Sequence, residues 1–301
     1  MSASGKPHSA GQASATAPAS STLRVTAVSS AGSRVSAVSS AGARVNAGAR
    51  VTAVTSGKGG VGKTFIAANL GAALVRLGQR VLVLDADLGL ANLDVMLNLS
   101  ARLTLHDVFT GAAALDEAIW PAPGGMSVLL AGSGLVEYSR MTPELRDKLL
   151  ALMTQLRQRF DHILLDTGAG ISDVVLFTIS LADEVLVVAT PEPTSLADAY
   201  ATVKVLSATQ ARRPMRLLVN QSQRLGDGRV VRNQLQQVLD RFVNPGLDLT
   251  QGPPIKLDLI GDVPLDADVR EVIQRRQLLL ESLPGSAPAK ALAAAAAKLL
   301  G

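Results

Sequence analysis

Residues 57–64 read Gly57-Lys58-Gly59-Gly60-Val61-Gly62-Lys63-Thr64 and follow an apolar run, Arg50-Val51-Thr52-Ala53-Val54-Thr55, with the composition of a buried strand. From Lys63 a helix is expected, through Phe65-Ile66-Ala67-Ala68-Asn69-Leu70. Strand, glycine loop and helix in that order fit the phosphate-cradling pattern GxxxxGK[ST], in the context it requires. Gly57, Gly59, Gly60 and Gly62 let the backbone turn tightly and bring its N–H groups, with that of Val61, against phosphate oxygens. The helix then points its positive dipole end, with Phe65 in its first turn, at the same anion. In this pattern Lys63 reaches the β/γ-phosphates and the Thr64 hydroxyl holds Mg²⁺.

From Arg50 onward strand-like and helix-like segments alternate, which predicts an α/β fold: a single domain with a mostly parallel, doubly wound sheet covered on both faces. Strand composition recurs at 80–84, 162–165, 184–189, 215–219 and 257–260, and more weakly at 126–130. Apolar spacing predicts a helix over 144–160 (Leu145, Leu149, Leu152, Leu156, Phe160) and another over 230–243 (Val231, Leu235, Val238, Phe242). Two of the strands run into carboxylates. One continues as Asp85-Ala86-Asp87-Leu88-Gly89, the other as Asp166-Thr167-Gly168-Ala169-Gly170. A carboxylate at a strand end beside a phosphate loop is where Mg²⁺ takes its acidic ligand, directly or through water. Asp166 closes an hhhhD run and is assigned to the metal with Thr64 and Asp85.

Composition enters as a set of exclusions. The chain has no cysteine, which removes disulfides and Cys-ligated metal or iron–sulfur sites. No apolar run approaches the ~18 residues of a membrane span, and no apolar stretch follows Lys6, so a cytoplasmic location is expected. Residues 1–50 hold Lys6, Arg24, Arg34, Arg44 and Arg50 and no acidic residue, while the remainder nets −1. The basic balance therefore belongs to the tail, and nucleic acid is not an expected partner. Residues 1–49 are rich in Ala, Ser and Gly and predict a disordered tail. Within them Arg24-Val25-Thr26-Ala27-Val28-Ser29-Ser30-Ala31-Gly32 and a second copy from Arg34 echo the first strand without reaching GKT.

Lys58, one residue into the loop, is not required by the general pattern. Its position gives KGGxGK[ST], and this deviant loop resembles that of the MinD/ParA family. The segments DADLGLANLDVMLNL (85–99), DTGAGIS (166–172) and ATPEPTSLADAYATVK (189–204) look like the FlhG/FleN branch, and the resemblance spans about residues 50–285. It implies an Mg-dependent ATPase that forms a homodimer with ATP and regulates the number and placement of flagella. By position, Lys58 contacts phosphate on the partner's nucleotide, Asp87 orients the attacking water, and Asp85 helps organise Mg²⁺. Asn92 and Asp94 fall in a switch segment, Glu192 and Asp198 near the dimer face and ribose, and Asn220 at the adenine edge. The implied protein partners are the flagellar GTPase FlhF, flagellar switch proteins or a flagellar transcription activator.

Three departures stand out. Gln221 replaces an arginine common in the family. Only Gly11-Gln12-Ala13-Ser14 and Leu23-Arg24 echo the DQAxxLR element that stimulates FlhF. The stretch 286–301 is an Ala-rich helix with Leu292, Leu299, Leu300, Lys290 and Lys298, either packed on the domain or making a weak contact with the inner face of the membrane. The run 270–276 reads as a solvated helix face. Rival readings are a MinD-type division-site ATPase, which needs a stronger membrane helix; a ParA-type DNA-partition ATPase, which needs a basic dimer surface; and a binding module that does not turn ATP over.

Overall fold

The computed structural model describes residues 48–301 except 89–91, 133–137, 139, 213, 249 and 251; residues 1–47, with the repeats, lie outside the described residues. Ala49, read as tail, is buried in the core and donates its N–H to Arg157 O at 2.7 Å. Eight strands build one sheet: β1 (Arg50–Ser56), β2 (Val81–Ala86), β3 (Ile119–Pro121), β4 (Ser127–Leu129), β5 (His162–Ala169), β6 (Glu184–Ala189), β7 (Met215–Ser222) and β8 (Leu257–Pro264). The spatial order is β3-β4-β2-β5-β1-β6-β7-β8, parallel throughout except for the short antiparallel β3–β4 pair. β2 and β6 are apolar almost without interruption because both of their faces are covered, and β1 and β5 are buried likewise although Thr52, Thr55, Ser56, His162, Asp166 and Thr167 interrupt their apolar residues.

The helices are α1 (Lys63–Arg76), α2 (Leu93–Leu97), α3 (Leu105–Thr110), α4 (Leu115–Ala118), α5 (Pro143–Leu156), α6 (Asp173–Ser180), α7 (Pro193–Gln210), α8 (Asp227–Phe242), α9 (Ala267–Gln274), α10 (Leu279–Ser282) and α11 (Ala287–Leu300). One face of the sheet packs on α5, α6, α7 and α8, through residues such as Leu149, Leu156, Val175, Val203 and Leu235. The other packs on α1 and α11, through Ile66, Leu70, Leu74, Leu292 and Leu299. α11 is thus a core helix. Its Ser286 cap accepts from Ala289 N, Leu292 and Leu299 are fully buried, and it lies on β8 and α1.

Two helix readings need correction. α5 ends at Leu156, short of Phe160, although Leu145, Leu149, Leu152 and Leu156 are buried as spaced. In α8 the buried stripe is Gly228, Val231, Leu235 and Leu239, whereas Val238 and Phe242 are exposed. Val238 sits about 60° around the helix from Leu235, and Leu239 only about 40°, so the stripe continues through Leu239. Phe242 shares the stripe's direction but is the last helical residue and stays outside.

At the amino-terminal edge of the sheet a polar cluster is buried. Glu184 accepts from Arg50 (3.2 Å), Arg216 (2.8 Å) and Thr52 Oγ1 (2.7 Å), and Thr52 Oγ1 also meets His162 Nε2 at 2.9 Å. Arg50 donates to Leu299 O at 2.6 Å and Arg216 to Lys298 O, so both cations satisfy carbonyls at the α11 C-terminus.

Candidate functional site

The nucleotide end of the sheet is where the carboxyl ends of β1, β2, β5, β7 and β8 converge, the crevice position expected of an open α/β sheet. The loop of residues 57–62 leaves β1 and enters α1 with Gly60 and Gly62 at φ +81° and +93°, in the left-handed region that glycine occupies without strain. Gly62 is the N-cap, no side chain caps the helix, and its first turn holds no acidic residue. The orphan N–H groups there are left for an anion.

Close approach fixes two of these glycines. A Cβ at Gly57 would lie 2.2 Å from the Asp198 carbonyl, so the loop runs directly over α7. A Cβ at Gly62 would lie 2.6 Å from Asn220 Nδ2. Asn220, at the end of β7, donates that Nδ2 to Val61 O at 2.9 Å. Its amide therefore fastens the phosphate loop as well as facing the neighbouring cavity.

Lys63, Thr64, Asp85, Asp87 and Asp166 come together. Asp85 and Asp166 occupy paired positions on β2 and β5, both buried. Burial and the charge of Asp166 push the Asp85 carboxyl up to about 8, against the pull of the Leu93 and Asp87 backbone N–H groups. Burial raises Asp166 to about 6, with the Thr64 hydroxyl and the Lys63 ammonium pulling it back. Burial also lowers the Lys63 pKa, opposed by Asp166 and Asp87. Asp87, just past β2, places Oδ1 3.4 Å from where a Gly168 Cβ would stand, so its carboxylate lies over the Asp166-Thr167-Gly168 segment.

These residues fit a divalent cation. Asp166 Oδ1 is buried with no hydrogen-bond partner, and two crowded carboxylates gain from a positive charge between them. Among the described residues no cluster of three or more His, Cys, Asp or Glu could hold an ion alone. Mg²⁺ here would draw on the Thr64 hydroxyl, the carboxylates, water and phosphate oxygens.

Some of the site was missed in the sequence. A cavity of about 560 Å³ is bounded by Gly60, Gly62, Phe65, Asn220 and Gln221 and, on its far side, by Val263–Ala267, Val269, Arg270, Ile273 and Gln274. The run read as a solvated helix face thus borders the cavity with Arg270, Ile273 and Gln274, whereas Val272 is buried. The rule that ligands sit beyond the carboxyl ends of strands would have pointed to Val263-Pro264-Leu265-Asp266. Gln221 bulges from β7 at φ +60° and borders both this cavity and a second one of about 380 Å³. Glu192 borders the second cavity only, and pairs with Lys58 at 2.8 Å. Asn92 is the N-cap of α2 and Asp94 lies in its first turn.

A phosphate loop, two carboxylates paired across β2 and β5 and an adjoining cavity define a P-loop nucleotide hydrolase. Residues 48–300 match the family model ParA, described as NUBPL iron-transfer P-loop NTPase. Antiactivator FleN of Pseudomonas aeruginosa is 38% identical over 250 residues, covering 83% of this chain and 86% of that protein. The crystal structure of the cell division ATPase MinD of Pyrococcus furiosus aligns with a TM-score of 0.66 at 26% identity, covering 83% of this chain and 98% of that one. The septum site-determining protein MinD of Pyrococcus horikoshii, solved with Mg-ADP, aligns at 0.64 and 26% identity, covering 83% and 96%. The chain belongs to the MinD/ParA family of P-loop ATPases. It is an ATP- and Mg²⁺-dependent ATPase of the FlhG/FleN type.

Proposed function

We propose that the chain is an ATP-dependent dimerising switch that regulates flagellar number and placement through protein partners. The 38% identity with antiactivator FleN over most of both chains carries this reading. Bound Mg²⁺ would neutralise charge on the transferring phosphoryl group. Thr64, Asp85 and Asp166 hold the metal's oxygen environment, while Lys63 and the N–H groups of Gly57–Thr64 bind phosphate. Asp87 takes the attacking water, and Asn220 presents its remaining Oδ1 to the adenine amino group. Lys58 reaches the nucleotide of a second copy, and Glu192 stands at the face where the copies meet. ATP binding and dimerisation are then linked, each favouring the other.

The Asp87→Ala variant tests the scheme. It binds ATP, fails to hydrolyse it, and should elute as a dimer on gel filtration with ATP; a monomer at saturating nucleotide would count against the reading. A flagellar activator, FlhF or a switch protein is the partner class, since antiactivator FleN is named for restraining activation. The MinC:MinD cell division complex of Aquifex aeolicus makes a division-site role the second reading. That role calls for membrane contact, which through α11 requires a helix whose apolar face is already buried to undock. Sedimentation with anionic liposomes in the presence of ATP separates the two.

A further inference from the structure

Lys58 is held within its own chain. Its Nζ donates to Glu192 Oε2 at 2.8 Å and to Thr194 Oγ1 at 3.0 Å. Glu192 is the N-cap residue of α7 and Thr194 lies in its first turn. One turn further on, the Asp198 backbone presses against Gly57. The leading half of the phosphate loop is therefore fastened to α7 twice, by contact at Gly57 and by a charge-assisted pair at Lys58. On the other side the loop is open, with no atom within 4 Å of where a Cβ would stand at Gly59 or Gly60. A lysine that reaches the nucleotide of a second copy cannot keep its bonds to these two oxygens.

We propose that Glu192 and Thr194 form an intrachain latch on Lys58, so that every dimerisation event exchanges an internal ion pair for one across the interface. The inference rests on the dimer reading above and adds its threshold. Phosphate oxygens of the second copy's nucleotide compete with the Glu192 carboxylate for the same ammonium. A triphosphate offers more negative charge than a diphosphate, so the exchange proceeds with ATP and stalls with ADP. The carboxylate left behind has a cation at hand. Arg224 lines the same 380 Å³ cavity, and no described residue bonds its guanidinium. The Lys58 and Glu192 side chains are 32% and 60% exposed, so the latch sets a threshold and does not lock the monomer.

The test measures the dimerisation constant by analytical ultracentrifugation with ATP, in the Asp87→Ala background so that turnover does not intervene. Glu192→Gln removes the charge and Thr194→Val the second acceptor. Each should tighten the dimer, and Glu192→Gln by roughly twofold to thirtyfold, because two weak exposed pairs open per dimer. The advantage should shrink as salt is raised and vanish when Lys58 is alanine. With ADP, Glu192→Gln should give measurable dimer where its parent gives none. A dimer that forms normally but weakens or stays unchanged in both variants overturns the latch while leaving the dimer reading intact. No dimer in Asp87→Ala or in any latch variant overturns the dimer reading, and the latch with it.

Discussion

Gly57 has no room for even one methyl group. Its Cβ position lies 2.2 Å from the carbonyl atoms of Asp198 and 2.6 Å from the Asp198 Cβ, and helix backbone cannot yield as a flexible side chain would. Gly57→Ala must lift the loop off α7 and misalign its N–H groups, so ATP affinity measured by calorimetry should fall at least about tenfold; unchanged affinity would mean that the contact is dispensable. Asn220 does two things with one amide. Nδ2 holds Val61 O, which fixes the rotamer and leaves Oδ1 as an acceptor beside the 560 Å³ cavity, where the proposed function seats the base. Asn220→Ala leaves a buried carbonyl unpaired and removes that acceptor, a loss of about 1–3 kcal/mol in ATP binding. Discrimination between ATP and GTP should decline with it, since guanine carries a carbonyl where adenine carries the amino donor. Titrating both nucleotides into parent and variant checks this, and an unaltered ATP/GTP ratio would remove Asn220 from base selection.

Among the elements, what the sequence makes legible follows burial. β2, β5 and β6 are covered on both faces, so the apolar runs 81–84, 163–165 and 185–189 announce them. The carboxylates that follow the first two runs, Asp85 and Asp166, are found at once although both lie inside their strands. The phosphate loop is legible for a different reason, because its spacing is a local pattern and Gly60 and Gly62 answer to a positive φ, although the contacts of Gly57 with Asp198 and Gly62 with Asn220 are not visible in the sequence. α8 is misread at Val238 and Phe242 because spacing tells which residues share a stripe and leaves open how far a helix extends beyond its packing surface. Arg270, Ile273 and Gln274 are misread because their role comes from what α9 faces, a cavity wall assembled from distant segments. α11 depends on the same long-range information. Its alanines promise little buried area, yet they permit close approach to α1, and Gly261 comes near enough to Ala295 for a Cβ there to stand 3.1 Å away. Leu292 and Leu299 then carry most of its anchoring. Leu292→Ala should cost about 2–5 kcal/mol in urea denaturation, as expected for truncating a fully buried leucine. A loss under about 1 kcal/mol would show that α11 detaches readily, and would favour the membrane role over the docked one.

Stability of the whole molecule draws on the polar cluster at the opposite end of the sheet from the nucleotide. His162 is 1% exposed, bonded through Nε2 to Thr52, and faced by the cations Arg50 and Arg216 and the carboxylate of Asp183. Burial first, then the two arginines, bring its pKa down from the ordinary 6.5 to about 4. Between those values an unfolded chain binds a proton that the folded chain refuses, so folding loses free energy as the medium becomes more acid. The contribution is fully present above about pH 6.5, declines as pH falls, and is exhausted near pH 4, where the folded imidazole also protonates. At pH 5 this one group should have lowered stability by about 2 kcal/mol relative to neutral pH. Protonation would also set a third positive charge against Arg50 and Arg216, which hold the α11 C-terminus through Leu299 O and Lys298 O. Acid should therefore loosen α11 ahead of the phosphate loop at the far end of the sheet. His162→Gln keeps a polar group for Thr52 and cannot titrate, so its urea midpoint should fall less between pH 7 and pH 5 than the parent's, by the equivalent of that 2 kcal/mol. Hydrogen exchange should show the acid-induced loss of protection in α11 of the parent and its absence in the variant. Parallel pH profiles for the two proteins would mean that water reaches the imidazole and that the cluster plays no part in acid sensitivity.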